Sequence, residues 1–277
     1  IGGGTAGLEA ACTAAEVGCN TFLLEKGNEL GGLASLISKI PAKNRLADFP
    51  HYLMHRAEQL DNLYIFKNTE GTPENIHKFH PNIIVSSTGS APLLPPIAGL
   101  KDRIDNEDYN IYSILGMISH INDFPKDLEG KKVVVVGGGA VGLDVVEFFA
   151  DRNADISIVE MMDQIGRDLD PVSKNDTKTM MKKHNVHQLT KTALLEVKDS
   201  SFLVKGEGEP YELPFEYGFV CLGMRAQGQL YQSLTEEFSS EDVEIMNIGD
   251  SQRARRIIDG TQEGRNILTI LEQKGYL

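Results

Sequence analysis

Two short glycine clusters carry the chemistry legible in this sequence of 277 residues. Gly2, Gly4 and Gly7 are spaced Gly-x-Gly-x-x-Gly, and Gly137, Gly139 and Gly142 repeat the spacing. In that pattern the first glycine permits a tight strand-to-helix turn, the second lets the backbone approach a pyrophosphate, and the third lets helix and strand pack closely. The helix that follows offers unpaired N–H groups and the positive end of its dipole to phosphate oxygens. Thr5 and Ala6 in one copy, and Ala140 and Val141 in the other, are the residues at that turn. A ribose needs an acceptor, and Glu25 follows Gly7 by the same 18 residues that separate Glu160 from Gly142. That is close to the roughly 20 expected of an acid that bonds ribose hydroxyls. A ligand-free glycine turn would account for one triplet. Two triplets, each with its acid at one spacing, predict two bound dinucleotides.

Such turns must be fed by parallel strands and followed by helices. The sequence predicts a helix over 8–17, a strand over 21–24, a helix over 46–60, and strands over 63–66 and 82–86. From Lys131 the unit repeats, with a strand over 133–136, a helix over 140–150 and a strand over 155–159. A polar helix over 171–184 comes next. Alternating strands over 193–197, 201–204 and 216–221 then read as an antiparallel ribbon, and a last strand (244–248) and helix (254–273) should return to the first lobe. The expected fold is α/β: two Rossmann-like nucleotide-binding domains with parallel central sheets and an antiparallel β insertion. Pro92, Pro95 and Pro96 mark a connector, which puts the first domain at 1–110 with 240–277 and the second at 111–239. Val133–Val136 leads into the second triplet, whereas only Ile1 precedes the first. The expectation is therefore an upstream polypeptide that supplies the first strand.

Bulk properties narrow the partners. A net charge of -13 repels nucleic acid and anionic lipid, so a nucleotide must be held by local dipoles. No apolar run is long enough for a membrane span, and a cytoplasmic protein is expected. Cys12, Cys19 and Cys221 form no Cys-x-x-Cys pair and no metal-ligand spacing. His51 and His55 share a helix face but lack a third ligand, so no metal site is expected, while self-association stays open.

Further residues carry a resemblance. Glu25-Lys26 is followed by the double glycine Gly31-Gly32 and Leu33; Thr88-Gly89 and Gly249-Asp250 end strands of the first lobe, and Leu222-Gly223 ends one of the second. These features resemble the two-domain flavoprotein reductases of the glutathione and thioredoxin reductase type. With Ile40-Pro41-Ala42-Lys43, Ser87-Thr88-Gly89-Ser90-Ala91-Pro92 and the run from Arg255-Arg256 to Glu263-Gly264, the chain resembles the carboxy-terminal half of the 2,4-dienoyl-CoA reductase and NADH:flavin oxidoreductase family, which is Old Yellow Enzyme-like. The resemblance implies FAD on the first lobe, with Asp250 on its ribityl chain, and a nicotinamide cofactor on the second, where Glu160, an acceptor for a ribose diol that repels a 2′-phosphate, favours NADH over NADPH. It also implies a covalently linked upstream (β/α)8 barrel carrying FMN, a 4Fe-4S cluster and the substrate site. Leu33 stands where the family often has Gln. Neither the Cys-x4-Cys nor the Cys-x-x-Cys of disulfide-reducing relatives is present, which disfavours that activity. The rival expectation is a non-catalytic ADP-binding module similar to that of trimethylamine dehydrogenase.

Overall fold

Short β-branched runs alternating with amphipathic stretches fold as strands and helices. The computed structural model describes residues 1–277. In chain order it contains α1 (Thr5–Glu16), β1 (Thr21–Leu24), α2 (Gly32–Ile37), α3 (Asp48–Glu58), β2 (Leu63–Phe66), α4 (Pro73–His77), β3 (Ile83–Ser86) and β4 (Ser90–Pro92). There follow α5 (Leu100–Arg103), β5 (Ile111–Tyr112), α6 (Ile114–Ser119), β6 (Lys132–Val136), α7 (Ala140–Ala150), β7 (Asp155–Val159), α8 (Pro171–Lys183) and β8 (His187–Leu189). The remainder is β9 (Ala193–Val197), β10 (Ser201–Lys205), β11 (Tyr211–Pro214), β12 (Tyr217–Val220), β13 (Met224–Ala226), α9 (Gln229–Glu237), β14 (Glu244–Asn247), α10 (Ile257–Arg265) and α11 (Ile267–Gln273). No helix is long and apolar enough to cross a membrane.

Two units share these elements: Ile1–Lys39, Lys43–Ala91 and Met224–Leu277 form unit 1, and Ile40–Ala42 with Pro92–Gly223 form unit 2. The chain thus changes unit after Ala91 and after Gly223, ahead of the sequence boundaries at 110 and 239. Packing explains both shifts. Leu100 and Ile104 join the core around Val134, Val136 and Val220 in unit 2, while Leu234 and Phe238 of the α9 region pack on Ile76 and Ile84 in unit 1.

Unit 2 is built on a five-stranded parallel sheet in the order β5-β12-β6-β7-β8. Val133 to Val136 are all buried at its centre, as a strand covered on both faces must be. The expected ribbon exists as β9-β10-β11, but its third strand is Tyr211–Pro214. The run over 216–221 lies instead as β12, parallel to β6; Gly218 to Val220 are continuously buried, which suits a central parallel strand rather than an exposed ribbon.

In unit 1, β1 pairs with β2 and β14 with β3, both parallel, so the last strand does return to the first lobe. Helix α1 buries Leu8, Ala11, Cys12 and Ala15 against Leu23, Leu53, Ala57 and Leu63. Its buried Glu9 meets Arg56 of α3 at 2.9 Å and Arg265 of α10 at 3.5 Å, pairing a charge that would be costly alone. The last helix begins later than expected, at Ile257, where Asp259 in its first turn accepts from the Arg256 backbone N–H at 3.1 Å, and it is split at Asn266 into α10 and α11.

Candidate functional site

Each glycine triplet forms the same turn. Gly2 and Gly137 hold φ of +101° and +109°, which side chains rarely adopt, and their N–H groups donate to Leu24 O and Val159 O, each at 2.8 Å. A Cβ on Gly7 would strike the Gly2 carbonyl, and one on Gly142 the Gly137 carbonyl, so the fold itself demands glycine there. The middle glycines differ. Gly4 and Gly139 cap α1 and α7 at φ of -73° and -80°, open to any residue, and a Cβ on either would meet nothing within 4 Å. No contact within the protein requires glycine at these two positions.

The two helices share another property. Thr72, Ser113 and Asp170 cap α4, α6 and α8 with their side chains, but Gly4 and Gly139 leave the first turns of α1 and α7 without a side-chain acceptor. The N–H groups of the residues after Gly4 (Thr5, Ala6) and after Gly139 (Ala140, Val141) thus remain for an anion.

Both predicted acids sit at the ends of strands and grip these turns. Glu25 accepts from Gly3 N at 2.7 Å through Oε2 and from Gly27 N at 2.6 Å through Oε1. Glu160 does likewise with Gly138 N at 2.6 Å and Met162 N at 2.7 Å. One lone pair on each oxygen stays available for ribose hydroxyls. Lys26 beside Glu25, and Met161 and Met162 beside Glu160, are exposed.

The double glycine abuts the first turn. Gly31 N donates to Gly3 O at 2.7 Å, and a Cβ on Gly32 would come within 3.0 Å of Gly4 Cα. Leu33, next on α2, is half-buried. Thr88 Oγ1 donates to Gln227 O at 2.5 Å, and Gly89 follows at φ +75°. In unit 2, Gly223 (φ +102°) accepts from Leu93 N at 2.9 Å, two residues beyond Cys221, whose carbonyl a Cβ on Gly137 would strike.

Asp250 is fixed by partners that the spacing did not reveal. Its Oδ2 accepts from Ser90 Oγ at 2.9 Å and its Oδ1 from Arg255 N at 3.0 Å. Glu263 accepts from Gly249 N at 2.7 Å and pairs with Arg255, while a Cβ on Gly249 would lie 2.9 Å from Ala6 Cβ. Gly260 and Gly264, one turn apart, allow α10 to lie this close to α1; that small-residue spacing was the legible signal. Arg256 is spent on Asp259 at 3.2 Å.

The cysteines form no dithiol. All three are free, and burial pushes the Cys12 thiol up to about 11, the Cys221 thiol up to about 12 and the Cys19 thiol upward. None is an activated thiolate at neutral pH.

Two units with such turns, each tied to an acid at the end of the next strand, define a paired FAD/NAD-binding Rossmann-type oxidoreductase fold. The chain belongs to the pyridine nucleotide-disulphide oxidoreductase family, which it matches over residues 1–245. It is 27% identical over 265 residues to the NADH oxidase of Thermoanaerobacter brockii, covering 95% of this chain and 39% of that protein. Among solved structures, a 2-naphthoyl-CoA reductase complex superposes with a TM-score of 0.81 at 23% identity, covering 96% of this chain and 38% of the other. Histamine dehydrogenase from Rhizobium sp. 4-9 gives 0.81 at 17% identity, with 96% and 40% covered. The chain thus spans about two fifths of the length of the proteins it matches. These likenesses bear out the resemblance to the FAD/NAD-binding half of Old Yellow Enzyme-like enzymes.

Proposed function

We propose that unit 1 holds FAD, that unit 2 holds NADH, and that the chain passes reducing equivalents from one to the other. The observation that carries this reading is the pair of middle glycines, Gly4 and Gly139, whose lack of a side chain serves no contact inside the fold. The FAD assignment is supported by features of unit 1: the double glycine against Gly4, and a carboxylate, Asp250, held in place by Ser90 and Arg255. When bound, the flavin supplies a two-electron acceptor for a nicotinamide hydride. The chain's own residues bind and orient. Backbone N–H groups at the starts of α1 and α7 take the pyrophosphates, Glu25 and Glu160 accept from the ribose diols, and Asp250 accepts from a ribityl hydroxyl. Gly2, Gly7, Gly137 and Gly142 shape the turns; Gly32, Leu33, Thr88, Gly89 and Gly223 border them; Lys26 flanks Glu25. No cysteine joins the electron path.

The NADH oxidase name of one relative supports nicotinamide as the donor, and the greater length of the relatives supports an upstream barrel with FMN and 4Fe-4S that reduces an enoyl-type substrate. The test is optical and kinetic. Purified chain should absorb near about 450 nm, a property of bound flavin, bleach on anaerobic addition of NADH, and reduce ferricyanide. It should leave enoyl-CoA esters untouched. A chain that takes up ADP but not FAD would refute the reading in favour of a non-catalytic nucleotide module, and alkene reduction by these residues alone would refute the need for the barrel.

A further inference from the structure

The loops that follow the two acids match bond for bond. In unit 1, Gly31 lies six residues after Glu25, its N–H donates to Gly3 O at 2.7 Å, and Glu25 Oε2 accepts from Gly3 N. In unit 2, Gly166 lies six residues after Glu160, its N–H donates to Gly138 O at 2.7 Å, and Glu160 Oε2 accepts from Gly138 N. Both loop glycines hold a positive φ, +96° and +67°. Gly166 is therefore the counterpart of Gly31, and Arg167 the counterpart of Gly32.

The unit 1 member of that pair borders the middle glycine of its triplet, since a Cβ on Gly32 would come within 3.0 Å of Gly4 Cα. Unit 2 keeps its loop equally close to its own turn. A Cβ on Gly138 would lie 3.1 Å from Ile165, and one on Gly166 would lie 3.6 Å from Leu143 in the first turn of α7. Beside the open Gly139, unit 2 thus carries a long cationic side chain where unit 1 has a bare backbone.

No contact within the protein explains that side chain. Of the three arginines of unit 2, Arg103 pairs with Asp199 at 2.8 Å, and Arg152 donates to Phe148 O at 3.0 Å and lies over its ring. The exposed Arg167 makes no hydrogen bond or ion pair. It is the sole cation between Glu160 and Asp170, with Asp163 and Asp168 nearby in sequence, and it pairs with none of these acids. A guanidinium left free is suited to phosphate, because its planar fork bonds two oxygens at once. With a net charge of -13 the chain as a whole offers a pyrophosphate no attraction, so a cation at the turn matters.

From these paired frames we infer that Arg167 is a coenzyme ligand of unit 2, its guanidinium binding the pyrophosphate that the N–H groups at the start of α7 receive. The inference rests on the reading that unit 2 holds a nicotinamide dinucleotide. It adds one charged side chain to a phosphate site otherwise made of backbone donors.

The experiment titrates protein saturated with FAD against NAD+, ADP-ribose and NADP+ by calorimetry, so that unit 1 is filled and no hydride moves. Arg167→Gln should weaken NAD+ and ADP-ribose alike by about tenfold or more, the loss of a charge-assisted phosphate contact. Arg167→Lys should recover part of that loss, since it keeps the charge without the fork. Affinity for NAD+ should fall more steeply with added salt in the parent than in Arg167→Gln. FAD content and the melting midpoint without NAD+ should match the parent's, because an exposed side chain with no partner is being changed. Equal NAD+ affinity in Arg167→Gln and the parent would overturn the inference while leaving unit 2 a nucleotide site. A loss confined to NADP+ would overturn it by placing the guanidinium on a 2′-phosphate, and a lower melting midpoint with no recovery in Arg167→Lys would do so by showing a structural role. Failure of the parent itself to bind NAD+ would overturn the nucleotide reading of unit 2 and this inference with it.

Discussion

Replacing Gly4 by alanine separates folding from binding in a way that few glycine substitutions can. The new methyl meets nothing within 4 Å, and φ -73° with ψ -179° is an ordinary extended conformation, so stability should stay within about 1 kcal/mol and can rise through the unfolded state. Gly7→Ala is the contrast: its methyl strikes the Gly2 carbonyl, and overpacking against backbone costs about 1–3 kcal/mol or more. For a ligand drawn onto the turn the order reverses in kind. Displacing phosphate from one charge-assisted N–H bond forfeits about 1.5–3 kcal/mol, roughly 10- to 150-fold in Kd. The assay pairs calorimetric melting of nucleotide-free protein with FAD titration followed by flavin fluorescence. Gly4→Ala should melt like the parent and bind FAD at least about tenfold more weakly, whereas Gly7→Ala should melt several degrees lower. Full FAD affinity in Gly4→Ala would refute the claim that the open glycine serves a ligand, and a melting loss equal to that of Gly7→Ala would refute the packing argument.

Two other outcomes follow from the geometry. In its proposed role Glu160 accepts from a ribose diol and would repel a 2′-phosphate by roughly 4 kcal/mol at 4 Å and an effective dielectric near 20, before screening; kcat/KM should therefore favour NADH over NADPH, and Glu160→Gln should narrow the ratio by about tenfold or more, equal ratios in the two proteins counting against the role. Ser90→Ala should weaken FAD binding by a few-fold, through a freer Asp250, while leaving NADH affinity unchanged; an equal loss at both sites would argue against Asp250 serving unit 1 alone.

What the sequence carried were features enforced locally. Glycine spacing, acid spacing and runs such as Val133–Val136 are read from neighbours in the chain, and β1, β2, β7 and α7 fall on their predicted spans. What it hid was set by distant packing. Residues 216–221 have the alternation of a ribbon strand, yet two neighbours, β5 and β6, draw them into the parallel sheet. The connector prolines suggested a boundary near 110, whereas Leu100 and Ile104 had already joined the unit 2 core. At the site, the grip of Glu25 and Glu160 on their own glycine turns and the hold of Ser90 on Asp250 are contacts across 22 and 160 residues, which no local pattern announces.

That grip has an evolutionary consequence. Glu160 braces its own turn through Gly138 N and Met162 N, and in the proposed function it is also the reader of the coenzyme. A lineage that came to use NADPH could not simply exchange this acid for a small or basic residue, because two backbone donors would lose their acceptor and the turn its shape. A change of coenzyme therefore requires at least two coordinated substitutions, one that admits the phosphate and one that re-anchors the turn. Single-step drift between coenzymes is closed to this lobe.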